Sequence, residues 1–298
     1  MSINTHRSLL IYGAMGSGKT SLIEQIAAHV CTAGQKARLV TAEHYSTIED
    51  AIEEGLVEVW KVNTRDHPFE TLRFAVDGFW PADVLDPTSP LIPPTPETWI
   101  TRPVRFFEGI ATFADYITGS YAKGGLTERA ETERIGFEKE YIQFTDGETS
   151  IAGKTWTYFR IGQNELTDLI NRSMKYPGLT GWTSHEDFSK DRRKITPEVI
   201  GTALNSDIGR YFADVLHIAT VPVDFTDAGG EMRRITERRL YLREHYIPGG
   251  AVPYIAKNSV GLKFQDRVPD YLAMTKDGMP RIDVAERLFR LWGREFRQ

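Results

Sequence analysis

The chain has 298 residues, 41% hydrophobic and 26% charged, with a formal net charge of −5. That is globular composition with length for a large core and one or two domains, and the acidic balance argues against a generally basic nucleic-acid binder. A single cysteine, Cys31, excludes an intramolecular disulfide framework. The start lacks a basic-then-apolar leader and no apolar run reaches membrane length, so the expectation is a cytoplasmic protein with no membrane partner. Charge is uneven, however: residues 1–150 hold 13 Lys/Arg against 22 Asp/Glu, and residues 151–298 hold 23 against 19. The second half can therefore present local basic surface.

In chain order, Leu9 to Tyr12 read as a short buried strand, and Gly13-Ala14-Met15-Gly16-Ser17-Gly18-Lys19-Thr20 matches GxxxxGK[ST]. Leu22, Ile23, Ile26, Ala27 and Val30 then recur at helical spacing. Strand, glycine loop and helix are the context a Walker A motif requires. Glycines let successive backbone N–H groups turn inward, and the helix N-terminus adds partial positive charge. Residues 13–20 with Ser21 are thus expected to hold a nucleotide, ATP. Lys19 is the point charge for the β- and γ-phosphates and Thr20 a hydroxyl ligand for Mg²⁺.

After Gly34, "KARLVTAEH" reads as a second strand whose tip delivers Glu43 and His44 to the same edge of an α/β sheet, where ligands bind. A carboxylate there is placed to orient an attacking water. Ala42-Glu43-His44 after a Walker A unit resembles the RecA-like recombinases, in which the Glu of this tripeptide is catalytic. That resemblance implies an α/β, RecA-like P-loop NTPase core: a mainly parallel sheet flanked by helices, with β-hairpin additions and a C-terminal helix. It also implies Glu43 as the hydrolytic carboxylate.

Residues 80–103 carry seven prolines and read as a surface loop. In "VRFFEGIATFADYI", Val104, Phe106 and Phe107 suit a strand that leaves Glu108 where the family places its Walker B acid, a ligand of the Mg²⁺ shell. Glu in place of Asp, and Arg105 within the strand, depart from the family pattern. Asp115 reads as a helix-surface acid, and residues 118–156 as an insertion. Leu179 to Thr183 read as a further strand. His185 at its end stands where the family keeps a polar γ-phosphate sensor, and "TSHE" is more similar to phage RecA-like ATPases of the annealing type.

The loop Lys190, Arg192, Arg193, Lys194 follows, where the family carries DNA-binding loops. Phe212 to Phe225 and "RRLYLREHYI", joined by an Asp227-Ala228-Gly229-Gly230 turn, predict a β-hairpin. Arg233, Arg234, Arg238, Arg239 and Arg243 are expected to form one basic face on it. Lys257-Asn258 resembles the stretch in which family lysines reach the ATP of a neighbouring subunit, although Ser259 replaces the second lysine. Lys257 is therefore the candidate finger in trans. Finally, Ile282, Val284, Ala285, Leu288, Phe289 and Trp292 predict an amphipathic C-terminal helix.

The expected organisation is a RecA-like core over residues 1–265 and a C-terminal helical segment over 266–298. The resemblance implies a Mg-ATP-hydrolysing phage ATPase that acts on single-stranded DNA in annealing or recombination as a homo-oligomeric ring or filament. Two alternatives stand beside it: a motor or loader acting on a protein or duplex DNA, and a structural phage protein with a residual nucleotide site. A small-molecule kinase shares the phosphate loop, but the chain shows no arginine-rich lid.

Overall fold

The strand β1, Arg7–Gly13, is buried on both faces from Leu9 onward because it lies mid-sheet, with parallel partners on either side. The structure, a computed structural model, describes residues 7–31, 34–42, 49–62, 72–73, 75–76, 103–122, 151–189, 193–199, 204, 207–226, 229–260 and 262–293. Helix α1, Lys19–Val30, returns the chain to β2, Ala37–Thr41. Then come α2, Glu49–Glu53; β3, Val57–Lys61; and β4, Val104–Glu108. Two longer helices follow, α3 at Ile110–Ala122 and α4 at Ile151–Ser173. Both reach into the range 118–156 read from sequence as an insertion.

Next are β5, Leu179–Ser184; β6, Glu186–Ser189; β7, Lys194–Pro197; β8, Asp214–Thr226; and β9, Met232–Tyr241. The chain closes with β10, His245–Tyr246; β11, Pro253–Tyr254; β12, Tyr271–Ala273; β13, Thr275–Lys276; β14, Met279–Pro280; and α5, Val284–Gly293. The last segment, read as helical, thus opens with three short strands, and β12 joins the main sheet. There its neighbour is β9.

The main sheet has eight strands in the order β12-β9-β8-β1-β5-β4-β2-β3. The six from β8 to β3 are parallel neighbours, and β9 is antiparallel to both β8 and β12. An α/β architecture with a large, mainly parallel sheet is therefore established. Alternation along the strands sorts the core into two layers. Leu10, Tyr12, Val40, Phe107, Trp182 and Val215 pack with α3 and α4. Leu9, Ile11, Leu39, Phe106, Leu216 and Ile218 pack with α1 and α5. Trp182 stacks on Phe107 with ring centroids 4.5 Å apart. Gly181, between its β5 neighbours on the opposite face, yields its side-chain space to the Phe106 ring: a Cβ there would sit 2.5 Å from Cδ1 and closer still to Cε1.

The C-terminal helix lies on α1. Gln25 of α1 donates from Nε2 to Arg281 O and accepts from the Val284 N–H through Oε1, which caps the first turn of α5. Buried Val284, Ala285, Leu288, Leu291 and Trp292 form its core face. Ile282, predicted to share that face, is 91% exposed because it precedes the helix and falls outside its periodicity. The Arg7 guanidinium lies 4.2 Å from the centre of the Trp292 ring.

A second sheet, β10-β11-β7-β6, follows directly on β5 through β6 and meets β8 at His217, which contacts Glu186, His245 and Tyr254. Its β6–β7 hairpin pairs Ser189 with Lys194, so Lys194, expected in a basic loop, is the first residue of β7, with Arg193 just before it. The β8–β9 hairpin also corrects an expectation. Neighbouring residues of a strand point to opposite faces. Arg234 and Arg238 therefore share the face of Leu240, while Arg233 and Arg239 share the other, so no single basic face forms. Arg233 and Arg239 are moreover paired with Glu231 and Glu237.

Candidate functional site

The phosphate loop hangs from the carboxyl end of β1. Gly16 and Gly18 adopt φ of 71° and 103°, the left-handed region that only glycine enters without strain. Gly18 is the N-cap of α1. A Cβ at Gly13 would press into Ile218 O of the adjoining β8 and stand 2.9 Å from Ser17 Oγ. The three glycines are thus required by the shape of the loop. Lys19 Nζ donates to Gly13 O at 2.9 Å and Ala14 O at 3.0 Å, which folds the amine back across the loop mouth. Met15, at the crest, is 86% exposed, whereas Ser17 is buried beneath it with no hydrogen-bond partner for its Oγ.

Glu108 ends β4, two strands from β1, and its carboxylate is buried. The Thr20 hydroxyl donates to Glu108 Oε1 at 2.6 Å. Gly109, at φ 90°, turns the chain away, and its N–H donates to Thr183 Oγ1 of β5 at 3.0 Å, which fixes the corner that presents Glu108. Arg105, a departure from an apolar strand, has a local explanation. Its guanidinium donates to Pro177 O, Tyr176 O and Thr180 Oγ1 at 2.8 to 3.0 Å, and burial lowers its pKa to about 10. The side chain ties β4 to the α4–β5 turn at the end remote from Glu108.

The donor set suits Mg²⁺. This ion takes few protein oxygens, keeps waters and binds phosphate oxygens alongside one or two carboxylates. A hydroxyl and a carboxylate within hydrogen-bond distance, beside a glycine cradle, meet that demand. Among the described residues no group of three or more His, Cys, Asp or Glu could form an all-protein metal cage.

β2 ends level with the same corner, since Thr41 pairs with Glu108. Glu43, the expected water-orienting carboxylate, lies outside the described residues, as do Lys190 and Arg192. His185 follows β5, whose Ser184 pairs with Tyr12, the residue before the loop. His185 is therefore brought to the loop's edge. Its carbonyl accepts from the Glu198 N–H, and the Ser184 hydroxyl donates to Glu198 O at 2.5 Å. Arg193 is exposed at the hairpin turn with φ 50°, while Lys194 Nζ bonds Glu244 at 2.6 Å.

Lys257 is not at the loop of its own chain. It bridges Val215 by two backbone hydrogen bonds, at the amino end of β8, level with Leu10. Burial lowers its pKa against the opposing pull of Asp214. The neighbouring departure, Ser259, has a structural role: its N–H and hydroxyl both donate to the buried Asp214 carboxylate.

One cluster was not anticipated. His217 of β8 is fully buried between Tyr12, Tyr254 and His245, with Nε2 3.1 Å from Glu186 Oε2 and Nδ1 3.1 Å from His245 Nε2. It connects the strand that carries the phosphate loop to the strand that leads into the basic hairpin turn. A histidine within an apolar run and a Glu after His185 were the only sequence signals.

Among the described residues no helix is long and apolar enough to cross a membrane. No protein-family model matches the chain, and no curated protein matches it significantly.

Proposed function

We propose that the protein is a Mg-ATP-binding and hydrolysing ATPase with a RecA-like core. The observation that carries this reading is the 2.6 Å bond between Thr20 of the glycine loop and Glu108 at the end of β4. P-loop NTPases hold Mg²⁺ with that pair of groups, a loop hydroxyl and an acid from a neighbouring strand. Residues 13–21 bind the phosphates, Lys19 swinging from its loop carbonyls to the β- and γ-oxygens. Thr20 and Glu108 hold the ion and its water. Bound there, Mg²⁺ neutralises charge developing on the phosphoryl oxygens. Glu43 orients and polarises the water, a role supported by the β2 register opposite Glu108. His185 reports the γ-phosphate, and Lys257 acts from a neighbouring subunit of a ring or filament. Its distance from its own loop suits a role in trans.

The proposed polymer partner is single-stranded DNA, held at the β6–β7 turn by Arg193 with Lys190, Arg192 and Lys194. A second reading, a motor or loader on a protein partner, is favoured by one observation: carboxylates already engage Lys194, Arg233 and Arg239. Phosphate release from Mg-ATP, with and without single-stranded DNA over a range of salt, tests both. Stimulation that fades with salt supports the DNA reading. Turnover indifferent to DNA supports the motor. No turnover in wild type, or equal turnover in Lys19→Ala, overturns the ATPase.

A further inference from the structure

We infer that Arg238 is a nucleotide-binding cation that acts in cis, on the α-phosphate and sugar side of the phosphate loop. The inference rests on the ATPase reading above and adds a residue that no motif contains.

Arg238 lies on β9, opposite Thr220 of β8. Ile218 is level with Gly13, so Thr220 and Arg238 stand two residues past the end of β1, at the height of the loop. The strand face it shares with Leu240 is the face that carries α1. Its side chain reaches the first turn of α1: a Cβ on Gly18 would sit 3.6 Å from Arg238 Nη1 and 3.7 Å from Cδ, with Met274 Cε also at 3.6 Å. The backbone at Arg238 is held on both sides, its N–H donating to Thr275 Oγ1 at 2.9 Å and its carbonyl accepting from the Met274 N–H at 2.7 Å. The guanidinium is thus delivered by a fixed strand position.

Arg239 is paired with Glu237 and Arg243 faces Asp270, but among the described residues Arg238 has no ion-pair partner. A half-buried guanidinium instead stands beside the positive end of α1 and in the neighbourhood of Lys19. Among the described residues, the carboxylate bonded to the loop is Glu108, which Thr20 engages on the opposite flank. Such an accumulation of positive charge is unfavourable until an anion fills the space between.

The sheet order says which part of the anion. Glu108 and Thr20 mark the metal, hence the β- and γ-phosphates, on the β5–β4 flank. Arg238 and Met274 occupy the β8–β9 flank. A nucleotide with its γ end at Glu108 extends its α-phosphate and nucleoside toward them. The guanidinium supplies a charge-assisted hydrogen bond to the α-phosphate, and the thioether of Met274 an apolar contact to the sugar or base. The ligand class is a nucleoside di- or triphosphate.

The test is a titration of the full chain with ADP and ATP by calorimetry, on wild type, Lys19→Ala, Arg238→Ala and Arg234→Ala. Arg234 shares the strand face of Arg238 but is exposed farther out, so it controls for net charge alone. The expected result is loss of binding in Lys19→Ala, affinity about 10-fold or more weaker in Arg238→Ala, partial recovery in Arg238→Lys, and Arg234→Ala within about twofold of wild type. If Lys19→Ala abolishes binding while Arg238→Ala matches wild type, this inference falls and the ATPase reading stands. If wild type binds no nucleotide, both fall. Should Arg238→Ala lose cooperative thermal unfolding, Arg238→Gln, which keeps the stem beside Met274, replaces it under the same criteria.

Discussion

The Thr20 hydroxyl meets Glu108 Oε1 at 2.6 Å across 88 positions of sequence. Neither residue alone distinguishes a metal site from an ordinary loop end. Together they supply the neutral and the charged oxygen that a hydrated Mg²⁺ needs. Glu108→Gln keeps the shape and removes the charge. It is expected to raise the Mg²⁺ concentration for half-maximal turnover about 10- to 100-fold, read from phosphate release over a Mg²⁺ series. An unchanged requirement would make the pair a structural hydrogen bond.

The parts of this site that were legible in sequence are those in which one local segment carries all the information. The glycine loop is one, because strand, turn and helix are contiguous and each glycine answers a backbone demand. β4 is another: Val104, Phe106 and Phe107 are apolar enough to show through Arg105, whose charge is absorbed by carbonyls of the α4–β5 turn. What depends on pairing between distant segments was not legible. Arg233 and Arg234 are adjacent in sequence yet face opposite ways, and carboxylates on the same strand cancel part of their charge. Ser259 reads as a missing lysine until Asp214 appears beside it. The Glu186–His217–His245 contact joins three strands, and its local signals, a histidine within an apolar run and a Glu after His185, do not show that the groups meet.

Asp214 anchors the amino end of β8. Its carboxylate accepts from Arg7 Nη1 at 3.0 Å, from the N–H and hydroxyl of Ser259, and from Trp292 Nε1 of the C-terminal helix at 3.3 Å. Burial raises its pKa, with Arg7 pulling the other way. Asp214→Ala leaves a guanidinium and buried donors uncompensated, and is expected to cost about 3–5 kcal/mol. Asp214→Asn, which keeps an acceptor oxygen, should cost less. Urea unfolding of both variants provides the check, and equal losses would show that the charge of the carboxylate, not its shape or its acceptor oxygen, carries the stability.

Gly181 tests the packing of β5 on β4 independently of any activity. Its Cα faces the Phe106 ring so closely that an added methyl cannot be accommodated unless the ring moves. Gly181→Ala is expected to destabilise the protein by about 1–3 kcal/mol through overpacking. Phe106→Leu removes part of the obstructing ring, so the double variant should be more stable than the sum of its single losses predicts. Simple additivity in urea unfolding would mean that the two positions do not share that space.

Buried His217 and half-buried His245 are expected to contribute to the response to acid. Burial lowers the pKa of His217, against the opposing pull of Glu186, and takes that of His245 down to about 4. The groups facing them are Tyr241 and Tyr254 as stacked rings, Tyr12 as a tilted one, Glu186 from β6, Lys19 of the phosphate loop acting on His217, and Glu244 and Asp270 around His245. Because both folded-state values lie below the ordinary 6.5, the unfolded chain takes up protons first as pH falls. Their contribution is therefore complete above about pH 6.5 and is lost progressively toward pH 4, the slope following the extra protons bound by the unfolded state. Glutamine at position 245 keeps a polar side chain and cannot acquire the imidazolium charge. His245→Gln should flatten the fall in thermal midpoint between pH 6.5 and 4 while lowering the midpoint at pH 7.5 through lost stacking on Tyr241. A wild-type and a variant midpoint that decline in parallel would assign the acid sensitivity to carboxylates elsewhere in the chain.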